Sequence, residues 1–158
     1  DDLTTIYKSL DIFYPKFYKM NHLCKLGFVG VEDLLSGHEV FINSIPKDRI
    51  ATIFVNHSSS ITSDFPHANS LEKKGAIQSP AEFVYTLPNI LNGELAIRHG
   101  WSGYNAFYLK SNFDAAFLKE QLQLAALSQP IDACILGYVE TNLEENYYSY
   151  RLELVSLI

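Results

Sequence analysis

Positive charge is scarce in this sequence: 12 lysines and arginines stand against 18 aspartates and glutamates, for a formal net charge of −6. A chain with no basic field has nothing to hold a nucleic-acid backbone, so nucleic acid is not an expected partner. Cysteine is scarcer still. The only two thiols, Cys24 and Cys134, sit in apolar surroundings without CxxC spacing. They read as buried free thiols of a reducing compartment, not as a disulfide or a metal clip. His22 is two residues from Cys24, but no further ligands complete a zinc set, and no metal is expected. Gly93, Gly100 and Gly103 are too widely spaced to cradle a phosphate, so no nucleotide or other cofactor is expected. Charges or prolines break every apolar stretch well short of the ~18 residues of a membrane helix. With no signal segment at the start of the sequence, the expectation is a cytoplasmic chain without a membrane span.

What is present suits one ordinary domain. The 158 residues are 47% hydrophobic, enough for a self-sufficient core, and positions 1–158 read as a single domain. Apolar residues recur at helical spacing from Met20 to Ser36, with Gly37 as the stop. A polar connection through Pro46 and Asp48 leads to Ile50–Val55, an apolar run rich in β-branched residues, as in a strand covered on both faces. Residues 56–77 are polar and aperiodic and read as a long surface loop. Ser79 and Pro80 look like a helix cap and first helical position, and the segment they open runs to about His99 with a kink or restart at Pro88. Tyr104–Leu109 reads as a strand, and a helix from Phe113 to Leu127 carries Phe113, Phe117, Leu124 and Leu127 on one face. Pro130 ends it. Ala133–Gly137 is a second buried strand. Tyr147–Ile158 alternates like a half-exposed one, after a turn at Asn142–Asn146. The order of elements predicts an α/β fold with a mostly parallel sheet packed by helices and a C-terminal antiparallel strand.

The stretch Ser79-Pro80-Ala81-Glu82-Phe83-Val84-Tyr85-Thr86-Leu87-Pro88-Asn89, continuing through Gly93, Ala96 and Gly100 to Gly103, resembles the segment of β-ketoacyl synthases that precedes their active-site cysteine. Lys19-Met20-Asn21 is similar to that family's Lys-Met-Asp, and Asp132–Gly137 to its strand ending in glycines. From Ser79 to Glu140 the pattern runs without a gap, which is far more specific than a short motif. The phrase Phe-Val-Tyr-Thr-Leu-Pro-Asn resembles a branch of N-terminal-domain synthase homologues. The resemblance implies a thiolase-like half-fold. The family's first, central strand has no counterpart before the first helix, and its C-terminal half, which carries a pair of histidines, is not matched. Two expectations stand: a fragment of a longer protein, or a short homologue whose sheet is completed differently.

In the family, a cysteine at the N-terminus of a buried helix is acylated as its thiolate. Position by position, that cysteine falls on Asn112, between Ser111 and Phe113. A carboxamide nitrogen is not a nucleophile, so Asn112 forms no acyl-enzyme. Two readings of the position stay open. In one, Asn112 or Ser111 caps the helix starting at Phe113, with Asp114 in its first turn. In the other, Asn112 donates a hydrogen bond where a thioester oxygen would sit, as glutamine does in chain-length-factor subunits. Ser111 as a replacement nucleophile lacks a base. His57 beside Ser58, Ser59 and Ser60 suggests a hydroxyl and its base, but neighbours on a loop rarely meet in that geometry, and the stretch reads as solvated. The resemblance also assigns Thr86, Asn89 and Phe107 to the substrate pocket and the dimer contact. Hydrogen bonds that satisfy the chain around Pro88 explain Thr86 and Asn89 equally well.

The function implied is that of a ketosynthase-like protein of fatty-acid or polyketide-type biosynthesis. It would be non-condensing and would act as a chain-length-factor-like partner of an active synthase. The alternatives are acyltransferase or decarboxylase activity of a full-length homologue, and a non-catalytic binding or scaffold module. The implied partners are an acyl carrier protein or acyl thioester and a second subunit, as a homodimer or a heterodimer with an active synthase, paired through the Tyr104–Leu109 strand. An acidic carrier would need a local basic patch on this acidic chain, with Lys16 and Lys19 as the candidates.

Overall fold

A computed structural model of the chain describes residues 2–72, 79–142 and 147–158. The expected turn beyond Asn142, and residues 73–78 of the expected loop, lie outside them. The framework is one sheet of β1 (Ile50–Asn56), β2 (Asn105–Leu109), β3 (Ala133–Asn142) and β4 (Tyr147–Ser156) in the order β2-β1-β3-β4. β1 runs parallel to β2 and β3, and β4 is antiparallel to β3. The three strands read from the apolar runs therefore share one sheet. Every residue of β1 is buried, because it is paired on both edges and covered on both faces. β1 and β3 pair directly, Ile50 opposite Ala133 through Val55 opposite Tyr138, so no strand lies between them among the described residues.

One face of the sheet is covered by α2 (His22–Leu35) and α6 (Ile90–His99). The Asn21 side chain caps α2 by accepting the Cys24 amide at 2.9 Å, and Gly37, at φ +86°, follows its end. Gly27 lets α2 lie against Leu91 of α6, and Gly30 lets it lie against Tyr150 and Leu152 of β4. Ahead of α6 comes α5 (Pro80–Val84), with Ser79 at its cap position, and the chain restarts after Pro88. Two further helices, α1 (Asp2–Ser9) and α3 (Glu39–Ser44), escaped the periodicity reading because each is too short to show a repeat. Among the described residues no helix is long and apolar enough to cross a membrane.

The stretch read as a loop contains α4 (Ile61–Leu71). The Ser60 carbonyl starts it by accepting the amides of Ser63 and Asp64 at 2.7 and 3.1 Å. None of its residues is buried, so no apolar stripe marks it, and Pro66 in its interior disguises it further.

The other face of the sheet is covered by α7 (Ala115–Ser128). It starts two residues later than the sequence suggests, and its cap is Asp114, not Asn112 or Ser111: Asp114 Oδ1 accepts the Phe117 amide at 3.0 Å. Its buried face is also different. Leu118, Leu122 and Ala125 pack on Ala51, Ile53 and Val55 of β1 and on Cys134 and Leu136 of β3. Leu124 and Leu127 face outward, 53% and 85% exposed. Spacing alone permits either stripe, but the small side chain of Ala125 lets the backbone approach the sheet where a leucine would hold it off. Asp114→Ala is expected to lower the unfolding midpoint measurably through loss of the cap, and Asn112→Ala to leave it close to that of the wild type. Urea unfolding distinguishes the two, and equal losses would assign the cap wrongly.

Candidate functional site

After β2 the chain returns across β1 to form β3, so the sheet changes direction between β1 and β3. In open parallel sheets the crevice outside the carboxyl ends at such a point is where ligands bind. Three segments meet there: the turn 56–60 after β1, the turn 110–114 after β2, and the end of β3.

The turn after β1 is held from below by two buried polar side chains. Asn56, fully buried, accepts the Ser59 amide through Oδ1 and donates Nδ2 to the Ser59 carbonyl, both at 2.9 Å. These bonds fix Ser59 at φ +53°, a left-handed conformation that costs a non-glycine residue on the order of 1 kcal/mol. Glu140, 4% exposed at the end of β3, accepts the backbone amides of His57 at 2.7 Å and Ser58 at 3.3 Å and the Tyr138 hydroxyl at 3.1 Å. Ser60 Oγ lies within bonding distance of Asp64 Oδ1, at 3.0 Å, and of the Thr86 carbonyl. The hydroxyls of Ser58 and Ser59 are left half-buried and the His57 ring exposed. His57 Nδ1 is 3.3 Å from the Ser111 carbonyl, so a proton on Nδ1 points there and Nε2 faces outward.

Ser111 and Asn112 are exposed in the bend after β2. Asp114 occupies the helix end behind them, with Lys110 Nζ at 3.3 Å from its other oxygen. Its bond from the Phe117 amide, followed by the Lys110 bond, holds the Asp114 carboxyl below the usual range. Thr86 reaches the site only through its carbonyl, since its hydroxyl donates to the Phe83 carbonyl at 2.6 Å. Asn89 is exposed at the start of α6, and its side chain makes no cap bond. Phe107 packs 6.4 Å from Phe54, on the α2 and α6 face of the sheet. The structure thus brings Ser111, Asn112 and Asp114 together, links Thr86 to the neighbouring turn, and leaves Asn89 and Phe107 elsewhere. His57, the serines after it and Glu140 belong to the crevice as well. Their signal in the sequence was an acid at the end of a buried strand and a polar tetrad directly after another.

No thiol reaches this place. Cys24 lies in α2 and Cys134 in β3, both buried. Burial pushes the Cys134 thiol up to about 12 and the Cys24 thiol higher still. The groups at hand are the Asn112 carboxamide, the His57 imidazole and the hydroxyls of Ser58, Ser59 and Ser111, with no thiol among them.

No family model matches the sequence, and no curated protein matches it. A solved structure does match: that of the ketosynthase ApeO in complex with its chain length factor ApeC, from Xenorhabdus doucetiae. One chain of it is similar at a TM-score of 0.67 and 11% identity, over 92% of this chain and 61% of that one. The chain has a ketosynthase-like fold. It spans less than two thirds of the chain it matches, and its sheet and helices correspond to the thiolase-like half expected from the sequence. Within this ketosynthase-like fold, the strand-to-helix turn that the resemblance equates with the nucleophile holds Asn112.

Two outcomes are expected here. Ellman's reagent at pH 8 leaves native protein unlabelled, because both thiols are buried and protonated there. Asn112→Cys, by contrast, reacts readily, with an ordinary thiol pH profile near 8.5. Glu140→Ala takes the acceptor from two part-buried amides and the Tyr138 hydroxyl and is expected to cost roughly 2 kcal/mol. Hydrogen exchange should show His57 and Ser58 losing protection first, and unchanged protection would remove Glu140 as the anchor of this turn.

Proposed function

We propose that this chain is a non-condensing, chain-length-factor-like subunit that works beside an active ketosynthase in fatty-acid or polyketide-type synthesis. The observation that carries the reading is Asn112, an exposed carboxamide in the turn after β2 of a ketosynthase-like fold, with both thiols buried elsewhere. Such a subunit does not form the acyl-enzyme. It offers hydrogen-bond donors to an acyl thioester that its partner carries.

Its route to the partner is the β2 edge. The Tyr104 carbonyl and the Lys110 amide bond β1, so by the two-residue period Asn105, Phe107 and Leu109 turn their amides and carbonyls outward. An unpaired aromatic edge strand of this kind favours a second strand beside it. Of the two expected basic candidates, Lys16 pairs with the buried Glu94 carboxylate at 2.7 Å, which supports docking of an acyl carrier protein on the partner. Lys19 alone is a weak anchor for an acidic surface.

The test is reconstitution with an active ketosynthase. Wild-type chain is expected to form a one-to-one complex by light scattering and to change the length of the acyl product. Leu109→Pro removes one outward amide without breaking the ladder to β1, so it should abolish the complex while the chain stays folded. Acylation of this chain by a malonyl or acyl thioester in the absence of a partner would refute the non-condensing role.

A further inference from the structure

The sheet has a second edge, β4, on the side away from β2. Leu157 donates its amide to the Asp132 carbonyl at 2.9 Å, and the register runs without a bulge from Ala133 opposite Ser156 to Asn142 opposite Tyr147. By the two-residue period, Ser149, Arg151, Glu153 and Val155 therefore turn their amides and carbonyls to β3. Tyr148, Tyr150, Leu152, Leu154 and Ser156 turn theirs away from the sheet. This edge carries few of the devices that protect a solitary one: β4 is 10 residues long and contains no proline, glycine or lysine.

The two charges it does carry are opposite in sign and two residues apart. α7 packs on β1 and β3 and leaves Arg151 and Glu153 exposed on its side of β4. Arg151 rests on the Phe113 ring, 5.2 Å from its centre. Among the described residues neither Arg151 nor Glu153 has an ion-pair partner, whereas Lys16, Arg49, Arg98 and Lys110 are all paired. A strand of this pattern is complementary to itself. When a second copy is laid antiparallel along the edge, about a two-fold axis at Leu152, each Arg151 falls opposite Glu153 of the other copy. On the α2 face Tyr150, 38% exposed, falls opposite Leu154. Opposite charges and aromatic–aliphatic pairs directly across two strands are stabilising. Neighbouring registers lose this. An axis at Arg151 or at Glu153 sets like charges against each other, and one at Tyr150 or Leu154 leaves both charges without a partner.

We propose that β4 is a second interface, at which two copies of this chain join their sheets in the register centred on Leu152. The proposal does not rest on the partnership through β2, and Leu109→Pro, which blocks that edge, keeps the two apart in the test. The Leu109→Pro chain, studied alone by sedimentation equilibrium, is expected to dimerise with roughly micromolar affinity, since one strand and its flanks make a modest interface. In amide hydrogen exchange Tyr150, Leu152 and Leu154 should slow as protein concentration rises, in this variant and in the wild type alike. Arg151→Glu and Glu153→Arg, both at exposed positions, should each weaken the dimer about tenfold, because the two-fold axis repeats every altered pair. The double variant, which exchanges the two charges, should return the affinity to within about threefold of the starting value. The proposal is overturned if the Leu109→Pro chain stays monomeric far above micromolar concentration, if either reversal leaves association unchanged, or if the exchange of charges fails to restore it. Slowing of the three amides only when an active ketosynthase is added would give the edge to that partner and overturn it too.

Discussion

Everything in this chain depends on β1 being buried on four sides. Its backbone is paired with β2 on one edge and β3 on the other, and its side chains alternate between two apolar layers. Phe54 faces α2 and α6, and Ala51, Ile53 and Val55 face α7. A strand so enclosed has no water with which to satisfy a misplaced polar group, so register and burial enforce one another. Even its one internal hydroxyl is accounted for: Asn92 of α6 donates Nδ2 to Thr52 Oγ1 at 2.9 Å. The carboxyl end of β1 is thereby delivered to a fixed point, and the candidate site is assembled around that point.

The interior of the fold was legible in the sequence because burial writes itself as composition. Ile50–Val55 and Ala133–Gly137 are continuous apolar runs, and only a strand covered on both faces tolerates them. What sits outside the core was not legible. α4 buries nothing and so carries no stripe, and α7 offers two apolar stripes at the same spacing, of which the sheet takes the one with the smaller residue. Helix caps fail for a related reason. Ser111, Asn112 and Asp114 are all good caps by type, and the choice is made by where the chain leaves β2, which is a tertiary fact.

The site itself divides in the same way. Asn112 was found by a resemblance, residue by residue, and the structure sets it in an exposed turn at the end of β2. Glu140 and His57 are 83 residues apart and bonded, and no local pattern joins them. A carboxylate enclosed by two backbone amides and a tyrosine hydroxyl holds a turn that contains a strained serine, and that combination is typical of places where a fold spends stability on geometry. The structure therefore adds His57, the serines after it and Glu140 to the candidate site, in a crevice between the ends of β1, β2 and β3.

The electrostatics of that crevice bear on why an asparagine is tolerated at position 112. A catalytic thiolate draws on the positive end of the helix behind it, through amides that are free to face the charge. In this chain that end is already taken. The Asp114 carboxylate bonds the Phe117 amide, and its negative charge opposes the helix dipole at the very position where a thiolate would need it. Lys110, 3.3 Å from the same carboxylate and 4.1 Å from the Phe117 ring, is committed to Asp114 and does not restore a positive field at Asn112. A neutral hydrogen-bond donor loses nothing in such a place, whereas an ionised nucleophile would gain no support from the helix there. The carboxamide at position 112 and the placement of the cap are thus two parts of one arrangement, in which the helix end lends no support to an ionised nucleophile.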